Sequence, residues 1–426
     1  MLVEFRFENH RSIREEQALT MEAGDFGAHD DKIPRDVGGN PRRLLPLAAL
    51  YGANASGKSN VLSALVFMCD AVLFSSRVWP TTDIPRDPFG WGEWRTRPSL
   101  FEVTFLIHDV RYQYGFAASD QRILEEWLHA WPKGKKQVWF ERDETSFKFG
   151  SHLKGENKFI SEVTRPNALF LSSAAQHNHA RLTPIASWFQ DLQSIRVTRK
   201  TPRFHPAMST YTRSTRHVGR TLITLPDDTP GHETPDAESL LDDIIRFFKT
   251  ADIGIVGLRA AQTGRKGSFS PTGLGDFELQ HQCDVSDAWL PMDQESSGTQ
   301  TLFRLAPALL WAIQNGGIVL IDELEYSLHP SLARHIVARF NDPAANPRNA
   351  QLLFSTHDTN LLATTPGQPA LRRDQVWLTE KNDQGATELI PLTDYKPRKA
   401  ENLEHGYLLG RYGAVPFLGN LKFSAD

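Results

Sequence analysis

The sequence predicts an α/β fold, a largely parallel sheet with helices on both faces, and three observations predict it. The first is Leu44–Tyr51, an apolar run of strand length that leads directly into the glycine-containing segment Gly52–Ser59. The second is the helical spacing of Val61, Leu62, Leu65, Met68, Cys69 and Val72 immediately after it. The third is a return of alternating strand and helix patterns from Glu295 onward.

The remaining elements follow in order. Leu2–Phe7 alternates like a strand with one buried face, and a polar loop separates it from Leu44. A Trp- and Pro-rich connection, Ser75–Pro98, leads to a predicted strand pair, Leu100–Ile107 and Tyr112–Ala118, with further strand-like runs at Gln137–Glu141 and Ala168–Leu171. Leu182–Leu192 reads as an amphipathic helix, and Asp236 is placed to cap a helix through Leu240, Leu241, Ile244, Ile245 and Phe248. Gly264–Gly275 reads as a hairpin tip or loop. The last part predicts helix Thr299–Gln314, strand Gly317–Asp322, helix Ser331–Phe340, strand Gln351–Ser355 and a closing pair, Gln375–Glu380 with Thr387–Pro391.

Composition narrows the function classes. Net charge is −4, so any nucleic-acid contact has to be local. Cys69 and Cys283 have neither metal-ligand nor redox spacing, which fits a reducing, cytoplasmic setting. No apolar run approaches the ~20 residues that span a bilayer, so no membrane partner is expected within the chain.

Gly52–Ser59 reads G-x-x-x-x-G-K-S. Backbone N–H groups across Gly52, Asn54, Ala55, Ser56 and Gly57 would cradle phosphates, with the helix dipole starting at Lys58, Ser59 and Asn60 behind them. Lys58 would reach the β- and γ-phosphates of ATP, and the Ser59 hydroxyl would bind Mg²⁺. A second metal-side carboxylate is expected at the end of a neighbouring strand. Gly317–Glu323 supplies it: Asp322 would hold Mg²⁺ and Glu323 would orient and deprotonate the attacking water. Two weaker signals sit at matching places. Ser296-Ser297-Gly298-Thr299-Gln300 opens a long helix, where it reads equally well as an anion site and as a plain cap, and His357 follows the next strand.

In this order the motifs resemble the ABC-type ATPases, more closely the SMC/Rad50/RecF-like branch. Gly52–Ser59 is similar to Walker A, Ile318–Glu323 to Walker B with its catalytic glutamate, and Ser327-Leu328-His329-Pro330 to the D-loop. Ser296–Gln300 resembles the LSGGQ signature, departing at its first and fourth positions, and His357 resembles the switch histidine. Phe7–Ile13 resembles the N-F-R-S segment, which implies a nucleotide contact for Arg11. Gln176 is the candidate Q-loop glutamine on the metal, with Gln113 as competitor.

The resemblance implies a two-lobed head with a mixed sheet and a P-loop core. Residues 1–176 form one lobe, 177–289 a mainly helical, basic insertion, and 290–426 the other lobe. Catalysis would fall to Glu323, His357 and Lys58. The head would close as a homodimer around ATP, with Ser297, Gly298 and Gln300 of one copy completing the site of the other, and higher assemblies are open. More narrowly, the chain resembles stand-alone ATPases of bacterial anti-phage and abortive-infection systems, in which a separate nuclease or toxin is the effector. A RecF- or Rad50-like repair ATPase is the alternative. Residues Leu192–Pro226 carry Arg196, Arg199, Lys200, Arg203, Arg213, Arg216 and Arg220 without one acid, which fits a DNA or RNA contact and fits a solvated loop equally well.

Overall fold

The computed structural model describes residues 1–25, 32–38, 43–196, 237–251, 254–261, 277–285, 287–363, 370–398 and 401–416. The first part of the chain forms β1 (Leu2–Glu8), β2 (Gln17–Thr20), β3 (Arg35–Asp36), β4 (Arg43–Leu44), β5 (Leu47–Gly52), α1 (Lys58–Phe74), β6 (Ser99–Ile107), β7 (Val110–Ala118), β8 (Ile123–Trp131), β9 (Gln137–Asp143), β10 (Ser146–Phe149), α2 (Asn157–Val163) and α3 (Phe170–Gln176). Then come α4 (Thr183–Gln190), β11 (Leu192–Arg196), α5 (Ala237–Thr250), β12 (Ile255–Ala260), β13 (Phe277–His281) and β14 (Trp289–Pro291). The last part gives α6 (Ser297–Asn315), β15 (Ile318–Asp322), α7 (Pro330–Asn341), β16 (Gln351–Ser355), β17 (Val376–Lys381), β18 (Thr387–Pro391) and α8 (Leu403–Leu408).

Two sheets make the frame. One runs β10-β9-β8-β7-β6-β1-β2, and its neighbours are antiparallel. The other runs β11-β15-β16-β5-β17-β18, parallel through β17, with β18 antiparallel at the edge. Helix α1 touches β5, β15 and β16 of the second sheet and β6 of the first. That placement explains its composition, because a helix covered on several sides needs apolar residues on several faces; it buries Val61, Leu62, Leu65, Phe67, Met68 and Val72.

The second sheet is covered on both faces, as its apolar strands require. Ala48, Leu50, Leu320 and Leu353 join the core that holds α1, while Ala49, Tyr51, Ile321 and Phe354 join a second core that includes residues of α6 and α7. The two-residue alternation sorts them. Buried Gln351 fastens the sheets together: its Nε2 donates to the carbonyls of Leu2 and Leu45, and its Oε1 accepts from the Leu2 N–H. Among the described residues no helix is long and apolar enough to cross a membrane.

One expectation is corrected. Ala168–Leu171, predicted as a strand, leads instead into helix α3, because the buried Glu126 carboxylate accepts the Phe170 and Leu171 N–H groups at 2.7 and 3.0 Å and caps a helix start there. The described residues of 177–289 carry both helix and strand. The stretch opens with α4, then adds β11 to the edge of the second sheet, and after α5 it forms the antiparallel sheet of β12, β13 and β14. Gly264–Gly275 and Asp236 lie outside the described residues, although β12 and β13, which flank the former, do pair.

Candidate functional site

Strand β5 delivers the chain to Gly52, and α1 begins at Lys58. The loop between them turns through left-handed backbone at Ala55 (φ +63°) and Gly57 (φ +115°). A Cβ at Gly57 would lie 2.2 Å from Thr387 Oγ1, and one at Gly52 would lie 2.3 Å from Thr379 Oγ1, so neither position has room for a side chain. Those threonines hold the loop from behind. Ser56 Oγ shares a hydrogen bond with Thr379 Oγ1 at 2.6 Å, and Thr387 Oγ1 donates to the Ser56 carbonyl at 2.7 Å. Ser12 Oγ continues the scaffold, accepting from Asn60 Nδ2 at 2.6 Å and bonding Thr387 Oγ1 at 2.8 Å. Asn54 and Ala55 remain exposed at the rim.

Lys58 is buried and folds back on its own loop, with Nζ donating to the carbonyls of Gly52 and Ala53 at 2.8 and 3.1 Å. Burial pulls its ammonium down to about 8, against the attraction of Asp322, Glu325 and Glu323. Across the loop mouth, Ser59 Oγ donates to Asp322 Oδ1 at 2.9 Å, and Ser355 Oγ at the end of β16 donates to the same oxygen at 2.6 Å. Glu323 turns the chain out of β15 with φ +59°, its N–H held by Ser355 Oγ at 2.7 Å. Such backbone is unfavourable for a non-glycine residue and persists only when the surroundings fix it.

Among the described residues no group of three or more His, Cys, Asp or Glu side chains could hold a metal by itself. The Ser59–Asp322 pair fits a different kind of ion, an oxygen-ligated Mg²⁺ that brings its other ligands from nucleotide and water.

Glu325 is a site residue that spacing did not reveal. Its Oε1 accepts the His357 backbone N–H at 2.6 Å, and its Oε2 is buried without a hydrogen-bond partner among the described residues. His357 follows β16, and its imidazole is lowered below its ordinary value by partial desolvation and then by the Lys58 charge, both of which favour the neutral ring.

Ser297 is exposed at the start of α6, where Ser296 Oγ caps the Thr299 N–H at 3.1 Å. A Cβ on Gly298 would lie 2.8 Å from the Ser327 carbonyl, so this helix start abuts the turn after Glu323. Both line a cavity of about 390 Å³ with Leu302, Leu328 and His335. Gln300 is turned to local use, its Nε2 donating to the carbonyls of Asp293 and Glu295.

Arg11 pairs with Asp87 at 3.0 Å, beside Ser12 on the scaffold behind the loop. Gln176 ends α3, whose approach is tied to the far end of α1 through the Leu169 N–H and Ser75 Oγ, and among the described residues it bonds neither Ser59 nor Asp322. Its competitor Gln113 lies within β7, its Oε1 3.4 Å from His129 Nδ1. Arg196 closes β11 opposite Asp322 in register, and Arg199, Lys200, Arg203, Arg213, Arg216 and Arg220 lie outside the described residues.

A comparison with curated proteins gives no match. Among solved structures the chain is similar to an Smc head bound to the C-terminal winged-helix domain of ScpA, at 11% identity over 91% of this chain and 96% of that one, TM-score 0.42. It is also similar to an Smc head with an extended coiled coil bound to the C-terminal domain of ScpA, derived from Pyrococcus furiosus, at 12% identity over 96% and 98%, TM-score 0.38. Residues 47–363, which span the glycine loop, Asp322, Glu323 and His357, match the family model described as "AAA domain, putative AbiEii toxin, Type IV TA system", and with well over half its length matched the chain belongs to that family.

Proposed function

We propose that this chain is an ATPase that closes around ATP as a homodimer and serves as the switch subunit of a cytoplasmic anti-phage defence complex, controlling a separate effector. The observation that carries the ATPase reading is the Ser59–Asp322 contact at 2.9 Å at the mouth of the glycine loop. Mg²⁺ held there would neutralise charge on the β- and γ-phosphate oxygens. Lys58 exchanges the Gly52 and Ala53 carbonyls for phosphate oxygens. Glu323 takes a proton from the attacking water as that water's oxygen bonds to the γ-phosphorus and ADP leaves. Neutral His357 donates a hydrogen bond to the phosphoryl oxygens.

Dimer closure is supported by the exposure of Ser297 beside the turn after Glu323, where a second copy can reach it. Gln300 and Arg11, which make local contacts here, would have to release them to reach nucleotide on closure. The defence role takes its support from the family's description as a toxin–antitoxin component. The basic residues from Arg196 to Arg220 give the complex its nucleic-acid contact.

Mg²⁺-dependent phosphate release, abolished in Lys58→Ala and Glu323→Gln, tests the chemistry. Release that persists in Glu323→Gln refutes the assigned base. Sizing of Glu323→Gln with ATP tests closure, since a monomer under those conditions sinks the dimeric site. Charge reversal at Arg199, Lys200 and Arg203 should flatten the salt dependence of DNA or RNA binding, and an unchanged slope removes that contact.

A further inference from the structure

Among the described residues, Trp91 is the most exposed aromatic side chain, and it stands beside the hairpin that braces the glycine loop. Trp91 is 57% exposed, whereas Phe89 beside it is buried and Trp94 is covered by the Arg97 guanidinium, 4.6 Å from its ring centre. An exposed indole on a floppy loop would need no explanation. This one is held firmly. The Phe89 N–H donates to Asn9 Oδ1 at 2.9 Å, and Asn9 Nδ2 donates to the carbonyls of Trp94 and Arg97 at 2.8 Å each. Arg11 adds its ion pair to Asp87 and donates its own N–H to the Asp87 carbonyl at 2.6 Å.

The same scaffold touches the phosphate loop. Ser12 holds Asn60, the second residue after Lys58, and Thr387 bonds Ser56 and fills the space beside Gly57. Two residues before Thr387, the hairpin turn between β17 and β18 supports the edge of Trp91: a Cβ on Gly385 would lie 3.1 Å from Trp91 Cζ2. The Phe89 ring backs the indole at 4.5 Å between centres. A triphosphate seated on Gly52–Ser59 has to lead its ribose and base away from the loop, and the Trp91 indole offers a large exposed apolar surface beside the hairpin whose Thr387 packs on Gly57.

We propose that Trp91 is the platform on which the base of the bound nucleotide stacks. The proposal rests on the reading of Gly52–Ser59 as a triphosphate site and adds the part that recognises the base. Stacking uses a π-face that every base has, and purines offer the larger one. The site therefore favours ATP and GTP over CTP and UTP by area, with base-edge contacts left to set any choice between the purines.

Calorimetric titration of the full chain with Mg²⁺ present tests this, using ATP and inorganic tripolyphosphate as ligands. Trp91→Ala should weaken ATP about tenfold, within the range measured for base–aromatic stacking, and leave tripolyphosphate within about twofold. Trp91→Phe should retain most of the ATP affinity. Equal weakening of both ligands would make Trp91 a structural support and overturn the proposal, as would an unchanged ATP affinity in Trp91→Ala. If the unaltered protein binds neither ligand, the triphosphate reading falls first and this one with it.

Discussion

Glu126→Ala should be among the most damaging single changes to the seven-stranded sheet. Glu126 and Arg142 are both buried, and their charges lie 3.6 Å apart. The carboxylate also accepts the N–H groups of Phe170 and Leu171 and the Tyr114 hydroxyl at 2.9 Å. Arg142 is further satisfied by the carbonyls of Glu144, Ala168 and Pro166. Removing the carboxylate leaves one buried cation uncompensated and three buried donors without an acceptor. Breaking one side of a buried ion pair costs about 3–5 kcal/mol, and each orphaned donor about 1–3 kcal/mol before relaxation. We expect a loss of about 4 kcal/mol, since water entry and repacking recover part of the sum. With a urea slope of about 2 kcal/mol/M, the midpoint should fall by about 2 M. Glu126→Gln should fall less, because it keeps an acceptor for the α3 N-terminus. The assay is urea unfolding followed by tryptophan fluorescence, with Trp127 and Trp139 in the same sheet as reporters. A midpoint shift under about 0.5 M for Glu126→Ala would refute the reasoning.

Two further outcomes follow from the site. Lys58 titrates at about 8 in the free protein, so at pH 9 only about a tenth of molecules carry the ammonium, against about nine-tenths at pH 7. ATP affinity should therefore drop about tenfold between those values, with proton uptake on binding near pH 8.5; buffer-independent binding heats would refute this. The same shift has a stability sign. The folded value lies below the ordinary 10.5, so the folded state holds fewer protons between about 8 and 10.5, and this group's contribution to stability rises with pH across that window. Glu325 acts by positioning His357, so Glu325→Ala should cut kcat about 10- to 100-fold, the scale of a lost charge-assisted hydrogen bond, with little change in the KM for ATP. Glu325→Gln, which keeps an acceptor for the His357 N–H, should recover part of that loss; equal defects in the two variants would exclude the positioning role.

Much of the core was legible because it is locally encoded. The glycine loop, α1 and the buried strands β15 and β16 each declare themselves within a few residues through spacing and β-branched or apolar runs. What failed depended on distant partners. Ala168–Leu171 carries the apolar run of a strand, yet a carboxylate on β8 supplies the cap that starts a helix. Thr379 and Thr387 hold the phosphate loop from more than three hundred residues away, a distance at which one sequence offers no pairing signal. Ser355 sat in plain view at the end of a predicted strand, but only the parallel register of β15 and β16 brings it to Asp322. Glu325 is a third acid close after Asp322 and Glu323, and only the fold shows that it accepts the His357 backbone N–H.

The register of β11 carries a mechanical implication. Its last residue, Arg196, lies opposite Asp322 on the neighbouring strand. β11 is thus an edge strand whose end is level with Asp322. Displacement of β11 along that one ladder would act on the strand that carries Asp322, and through it on the 2.9 Å contact between Asp322 and Ser59.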